Sequence, residues 1–349
     1  MKKILLLTSL LFFSFSVFAQ KYGLTSPDGK LTAAIEINSG IYVALLKGHD
    51  VVLRMGNLSL QNYYVAERNA DYKVQKVIPR SVNEVVKPEI RDKSAMLTNS
   101  YNEMEIKFRK NYAITFRMFN EGLAYRFSIS EKDSLRIIRE NLDLYLDTSD
   151  SVRFQSSETF NSPYETPYEH EKITGIKSGK LISLPLLIEK RDGLFVMVTE
   201  ADLYDYPGLW FKGTGQAQLS AINPPIPKSL TTTGSTYVRN QVAGTYDYIA
   251  MVKGTRTYPW RIFGVAGDER DLISNSMVYL LASPSVVSDF SWIKPGVVMF
   301  DCGQKIIFTG LISKQELTQK QLNILLIFAL RTDSGTSFLT TDGVPGMTC

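Results

Sequence analysis

Residues 104–129 read MEIKFRKNYAITFRMFNEGLAYRFSI, and this stretch decides the fold. Apolar and polar residues alternate over Met104–Phe108, over Tyr112–Met118 and again over Leu123–Ile129. The runs break at Lys110-Asn111 and at Glu121-Gly122, residue types that suit tight turns. Period-two alternation broken at short intervals predicts antiparallel strands with one buried face. The same texture extends outward in both directions. LTAAIEI (31–37) and IYVALL (41–46) flank a turn at Asn38-Ser39-Gly40, and Leu184–Ile188 and Leu194–Thr199 flank the hairpin signal Arg191-Asp192-Gly193. From Gln20 to about Pro284 the chain therefore reads as mainly β, long enough for a large antiparallel β-sandwich. The run DERDLISNSMVYLLAS (268–283) reads instead as a short helix ending near Pro284.

Bulk properties exclude several classes. The 349 residues carry a formal charge of only +4, with no basic run interleaved with aromatics, so no nucleic-acid partner is expected. Two histidines, His49 and His170, are too few for a histidine-built metal site or a promising Ser/His/Asp triad. Both cysteines, Cys302 and Cys349, fall near the end, so stability has to come from core burial rather than disulfides. Lys2 and Lys3, the apolar stretch Ile4–Phe18 and the small residues Val17 and Ala19 read as a signal peptide over 1–19. That stretch is shorter than the roughly twenty residues of a membrane span, so export rather than anchoring is expected.

Five short segments, taken in order, resemble glycoside hydrolase family 97. They are Ser26-Pro27-Asp28-Gly29-Lys30-Leu31, Tyr164-Glu165-Thr166-Pro167-Tyr168-Glu169, the run from Thr199 to Gly208 (TEADLYDYPG), Arg256-Thr257-Tyr258-Pro259-Trp260-Arg261 and Ser291-Trp292-Ile293-Lys294-Pro295-Gly296. Each is weak alone; their order and spacing over Gln20–Asp301 make the resemblance specific. It implies an exported, periplasmic α-glucosidase or α-galactosidase with a β super-sandwich, a catalytic (β/α)8 barrel and a small β-domain after it. The expected organisation is a signal peptide at 1–19, the sandwich at 20–284, a lead-in to the barrel at 285–301 and a tail at 302–349. A short irregular or helical tail thus stands in place of the barrel, and no catalytic residue is expected in this chain.

The tail departs from the family's pattern, in which the strand after Trp-Ile-Lys-Pro-Gly ends in Asp followed by two tryptophans. Here Asp301 is followed by Cys302-Gly303-Gln304. GAT-TGG-TGG with one G missing reads GAT-TGT-GGx, or Asp-Cys-Gly. Restoring the base makes the first two bases of each existing codon the last two of a new one. Under that constraint the run Thr336–Val344 (TSFLTTDGV) permits Tyr-Ile-Ile-Leu-Asp-Asp-Gly-Trp-Ser, which resembles the family's second barrel strand. Residues 302–349 are accordingly expected to be a frameshifted tail, with two incidental cysteines.

The resemblance also implies a calcium ion in the cleft, with a carboxylate supplied by the β-domain. Glu165 is the first choice, Glu169 the second and Glu171 a distant third; tight calcium binding by this chain alone is not expected, because that metal wants several oxygen ligands. His170 either lines the cleft or is an ordinary surface histidine. The run Asp202–Gly208 has the composition of an acid/base site, and equally that of a tight turn set by Pro207 and Gly208, which is the preferred reading. Trp260 and Trp292 are expected to pack in the core or against the barrel rather than on sugar. Two functions follow. One is a truncated, inactive glycosidase whose intact relative hydrolyses α-linked oligo- or polysaccharide. The other is a carbohydrate-binding sandwich offering Tyr204, Tyr206 and Trp210 as stacking surface.

Overall fold

The computed structural model describes residues 20–62, 72–88, 93–109, 111–162, 164–232, 240–289 and 291. The leader 1–19, Trp292, Cys302, Cys349 and the whole tail lie outside the described residues. The chain divides into two units, Met1–Ser283 and Pro284–Cys349. Everything below concerns the first.

Its strands begin with β1 (Gln20–Thr25), β2 (Leu31–Ile37), β3 (Ile41–Lys47), β4 (Asp50–Asn62), β5 (Val74–Val86), β6 (Leu97–Phe108) and β7 (Tyr112–Phe119). They continue with β8 (Gly122–Ser130), β9 (Leu135–Tyr145), β10 (Ser151–Ser157), β11 (Glu169–Lys172), β12 (Leu181–Glu189), β13 (Phe195–Ala201) and β14 (Trp210–Gly213). The last are β15 (Gln218–Ile222), β16 (Pro227–Thr232), β17 (Asn240–Thr245), β18 (Ala250–Val252), β19 (Thr255–Thr257) and β20 (Trp260–Ala266). The runs read from sequence over 104–129 fall inside β6, β7 and β8, which form a continuous antiparallel meander.

Eighteen of these strands form one continuous hydrogen-bonded antiparallel sheet that folds over into two layered sheets. One runs β1-β2-β3-β4-β9-β15-β14, the other β5-β6-β7-β8-β20-β13. They join at β12. Its first residues, Leu181–Ser183, pair with β14, whereas Leu186–Glu189 pair with β13. The switch falls at Leu184-Pro185, where a residue without an N–H cannot continue a ladder on both sides. β10 covers the opposite edge of β12, and β11 pairs with β10 beyond it. β16 and β17 form a separate hairpin.

The core lies between the sheets because the pleat sends alternate residues inward. Leu31, Ala33, Ile35 and Ile37 of β2 and Ile41, Val43 and Leu45 of β3 are buried there with Ile114, Phe116 and Phe127. Each such Leu, Ile, Val or Phe side chain contributes about 1.5–3 kcal/mol when fully buried. A second cluster, with Tyr101, Phe119, Ala124, Trp260 and Ile262, sits on the far face of the second sheet, where Met277 and Leu281 cover it. For this reason β8 is buried nearly throughout, and its alternation is weaker than that of β2.

The helix expected over 268–283 is two short ones, Glu269–Ile273 and Met277–Leu281. Polar side chains between them make the break. The Asp268 carboxylate accepts from the Arg270 N–H at 2.9 Å to start the first, and Asn275 Oδ1 accepts from the Met277 N–H at 3.0 Å ahead of the second. No helix among the described residues is long and apolar enough to cross a membrane.

Candidate functional site

An open cleft of about 1640 Å³ lies beside the loop Asp202–Pro207, with Phe160, Arg256 and Met251 on its other walls. The loop is set by backbone geometry that few residues accept. Asp202 (φ 62°) and Asp205 (φ 45°) are left-handed, a conformation aspartate visits more readily than most residues. Arg256 then fixes it from below. Its guanidinium donates to the carbonyls of Tyr204 at 2.7 Å, Asp205 at 3.3 Å and Thr257 at 3.0 Å. The Asp202 carboxylate accepts from the Ser283 N–H at 3.0 Å and lies 3.7 Å from Arg126. At the far end, Glu200 accepts from the Leu209 N–H at 3.1 Å and Asn223 donates to the Gly208 carbonyl at 3.1 Å.

This tether decides which aromatic rings are available. Tyr204 stays 64% exposed at the cleft, while Tyr206 turns inward and meets Tyr258 edge-on at 5.3 Å. Trp210 is only 3% exposed, with Phe160 packed edge-on at 5.6 Å and Tyr164 at 5.4 Å. Of the three rings expected to offer stacking surface, only Tyr204 does so. The other two are buried: Tyr206 under its contact with Tyr258, and Trp210 beside the buried Leu209 and under Phe160 and Tyr164.

Beneath the loop lies a largely buried charged layer. Arg261 is fully buried and bidentate to Glu140, Nε to Oε1 and Nη2 to Oε2 each at 2.7 Å, while Nη1 donates to Glu200. Burial pushes the Glu200 carboxyl above its ordinary range, against the opposing pull of Arg261 and the Leu209 N–H. The Tyr206 phenol is raised well above its usual value by burial and by the charge of Glu140. Trp260, also fully buried, is contacted by two guanidiniums, Arg117 at 4.7 Å and Arg126 at 4.4 Å. Arg117 in turn lies 4.5 Å from Tyr101 and is paired with Glu103 at 2.7 Å. Trp260 is thus packed in the domain and has no face to offer a sugar. Of these groups only Trp260 and Tyr206 were singled out for a role from sequence. Glu140 gave no signal at all, since a glutamate in an alternating strand reads as solvent-facing.

The carboxylates chosen for a metal sit on the segment leading into β11. Tyr164 is left-handed (φ 58°), and Gln155 Nε2 donates to the carbonyls of both Tyr164 and Thr166, at 3.4 and 2.6 Å. Glu165 lies between those anchors and is exposed. Glu169 and Glu171 share one face of β11, and both carboxylates converge on Lys180 Nζ, at 2.5 and 2.9 Å. Ser156 Oγ also donates to Glu169. These bonds hold the Glu169 carboxyl below its ordinary range despite partial burial, which acts to raise it. His170 points to the other face and contacts Glu189 at 3.0 Å. As a donor set these residues do not fit calcium: the ion asks for about six to eight oxygens, and Lys180 already occupies the point where two of the carboxylates converge. Among the described residues no group of three His, Cys, Asp or Glu is placed to hold a metal.

The arrangement offers hydrogen-bonding and aromatic surface around the cleft, while Arg256 and Asp202 are engaged in holding the loop. Residues 24–284 match the family model described as glycosyl-hydrolase 97 N-terminal. A retaining alpha-galactosidase of Bacteroides thetaiotaomicron is 34% identical over 315 residues, covering 86% of this chain and 47% of that protein. The chain therefore spans about half the length of this relative. Among solved structures, a glycoside hydrolase family 97 enzyme from Pseudoalteromonas sp. strain K8, in complex with acarbose, superposes with a TM-score of 0.66 at 18% identity, covering 78% of this chain and 40% of that one. A beta-arabinopyranosidase crystal structure superposes with a TM-score of 0.57 at 15% identity, covering 71% and 40%. At these identities the structures speak for the fold alone.

Proposed function

The chain belongs to glycoside hydrolase family 97, of which it carries the amino-terminal domain, and from that premise we propose that it is the sandwich portion of an exported enzyme that hydrolyses α-galactosidic or α-glucosidic bonds. The single observation supporting this reading is the 34% identity to a retaining alpha-galactosidase across most of the chain. Glycoside hydrolysis needs two carboxyl groups flanking the scissile bond, one of them free to give a proton. The carboxylates lining the cleft do not meet that requirement: Asp202 is tied to Ser283 and Arg126, which leaves Asp205 without the second carboxyl the reaction needs. On this reading the domain frames a site whose catalytic carboxylates come from a barrel, and these 349 residues alone do not turn over. The purified chain, assayed on p-nitrophenyl α-galactoside and α-glucoside with calcium present, is expected to release no nitrophenol. Turnover abolished by Glu165→Ala would sink the claim.

Two further parts of the reading have their own tests. The tail from Cys302 is proposed to be read one base out of frame; independent sequencing of codons 301–303 either restores a G and opens a frame running on past codon 349, or returns the same bases and makes the gene a broken one. Export is proposed to remove 1–19, so mature protein recovered from the periplasm should begin at Gln20.

A second reading, a glycan-binding module without catalysis, is favoured by one observation: Tyr204 is held exposed at the cleft by Arg256. Calorimetry with malto-oligosaccharides discriminates, because saturable heat without hydrolysis, lost in Tyr204→Ala, belongs to a binding module.

A further inference from the structure

The outer face of the first sheet carries a recess of about 310 Å³ that shares no lining residue with the cleft. Strand register explains its shape. Lys21, Glu36 and Tyr42 lie side by side across β1, β2 and β3, and Gly56 of β4 pairs with Asp143 of β9. The adjacent row places Ala34, Ala44, Arg54 and Tyr145 across β2, β3, β4 and β9. Small side chains thus form the floor, with aromatic and charged ones around them.

The two tyrosines lie down because glycines let them. A Cβ on Gly56 would sit 3.0 Å from Cδ1 of Tyr42 and 2.9 Å from Cε2 of Tyr145. A Cβ on Gly40 would sit 3.2 Å from Cε2 and 3.3 Å from Oη of the same Tyr42 ring. The Tyr42 ring therefore extends along the sheet from one glycine to the other, resting on backbone, with its opposite side turned outward. Neither glycine has a left-handed φ, so here it is the missing Cβ that matters and not backbone freedom. Tyr145 is 38% exposed beside it. Arg54 is exposed and makes no ion pair among the described residues, and Glu36 accepts a bond from Asn38 Nδ2 at 3.3 Å.

A flat aromatic floor edged by an exposed guanidinium and a carboxylate has the chemistry of a sugar ring's partner. The rings meet the apolar C–H face, while planar charged groups pair with adjacent hydroxyls that both donate and accept. Of the strands beneath, β2, β3, β4 and β9 are paired on both sides, and β1, which among the described residues pairs only with β2, has its open edge on the side away from Tyr42 and Tyr145, so an added peptide strand would not lie over the two rings. Lys21, Arg54 and Glu36 mix both signs, which gives a polyanion little advantage. The volume lies at the lower end for ligand pockets and suits one or two rings rather than a long chain.

We propose that this recess is a glycan-binding subsite, separate from the cleft, that takes a hexopyranose ring of an α-linked oligosaccharide against Tyr42 and Tyr145 with its hydroxyls bonded to Arg54 and Glu36. The α-linkage rests on the proposed function; the neutral sugar ring rests on the recess itself. The test is calorimetric titration of the full chain with maltotetraose and stachyose, with cellotetraose as the β-linked comparator. Saturable binding of either α-linked sugar is expected, weakened about tenfold by Tyr145→Ala and by Arg54→Ala, and unchanged by Tyr204→Ala at the cleft. Arg54→Ala removes an exposed side chain, so it carries the test if Tyr145→Ala fails to fold. Absence of saturable heat with the wild-type chain overturns the proposal. So does binding that Tyr204→Ala abolishes and Tyr145→Ala spares, or cellotetraose bound as tightly as maltotetraose. The nitrophenyl assay reads turnover and this titration reads binding at Tyr145, so either can fail without the other.

Discussion

Arg261 and Glu140 form a bidentate pair across β20 and β9, two hydrogen bonds of 2.7 Å between side chains that are 1% and 2% exposed. Such a pair is worth little over a well-packed apolar one, but breaking it leaves a buried charge without compensation. Arg261→Met is therefore expected to cost about 3–5 kcal/mol in urea unfolding, and Glu140→Met a similar amount. The double variant Glu140→Met/Arg261→Met should recover much of that loss. A double variant less stable than both singles would mean that the third partner, Glu200, dominates the layer.

Lys190 makes the second internal ion cluster, bonded to Asp150 at 2.7 Å and Asp147 at 3.0 Å. Its ammonium pKa is raised: burial acts to lower it, and the two carboxylates more than offset that. The Asp147 carboxyl is lowered, first by the hydrogen bond from Lys190 and then by its charge. The raised lysine contributes stability that is fully present below its unfolded value, about 10.4, and is lost as pH rises through its folded one. The lowered aspartate contributes stability present above about 3.9 and lost as pH falls through its folded value. Melting temperature should therefore hold between those limits and fall outside both. Lys190→Met should lower the plateau and flatten its edges; an unchanged profile would count against this assignment.

Arg256 spends its guanidinium on three backbone carbonyls. Arg256→Ala should loosen residues 202–208 with a modest global loss, about 1–2 kcal/mol. Hydrogen exchange at Leu203, Tyr204 and Asp205 should speed up while the amides of β2 and β3 stay protected. Uniform loss of protection would instead make Arg256 a core residue.

The legibility of the sequence followed burial on one face or two. β2 reads cleanly because its outer residues, Thr32, Ala34 and Glu36, are not buried, so the pattern has period two. β20 does not: Trp260, Arg261, Ile262 and Phe263 are buried in succession, one face on the inter-sheet core and the other under Met277 and Leu281. The split of the helix at Ser274–Ser276 was hidden because the run 268–283 reads as continuous, and only capping by Asn275 interrupts it. For the site, Glu169 meets Lys180 of a loop eleven residues on, a partner that the local pattern does not show. Trp210 looked like a sugar platform until Phe160 and Tyr164 closed over it.

The order of residues alone determined the fold class and the family, because alternation and ordered motifs are local properties that survive without coordinates. Only the tertiary structure decided which charges and rings are free. Glu140 and Arg261 lie 121 residues apart and meet in the interior, and Tyr42 and Tyr145 meet over Gly56 only through the pairing of β3, β4 and β9. Such encounters depend on strand register, which no single stretch of the chain contains.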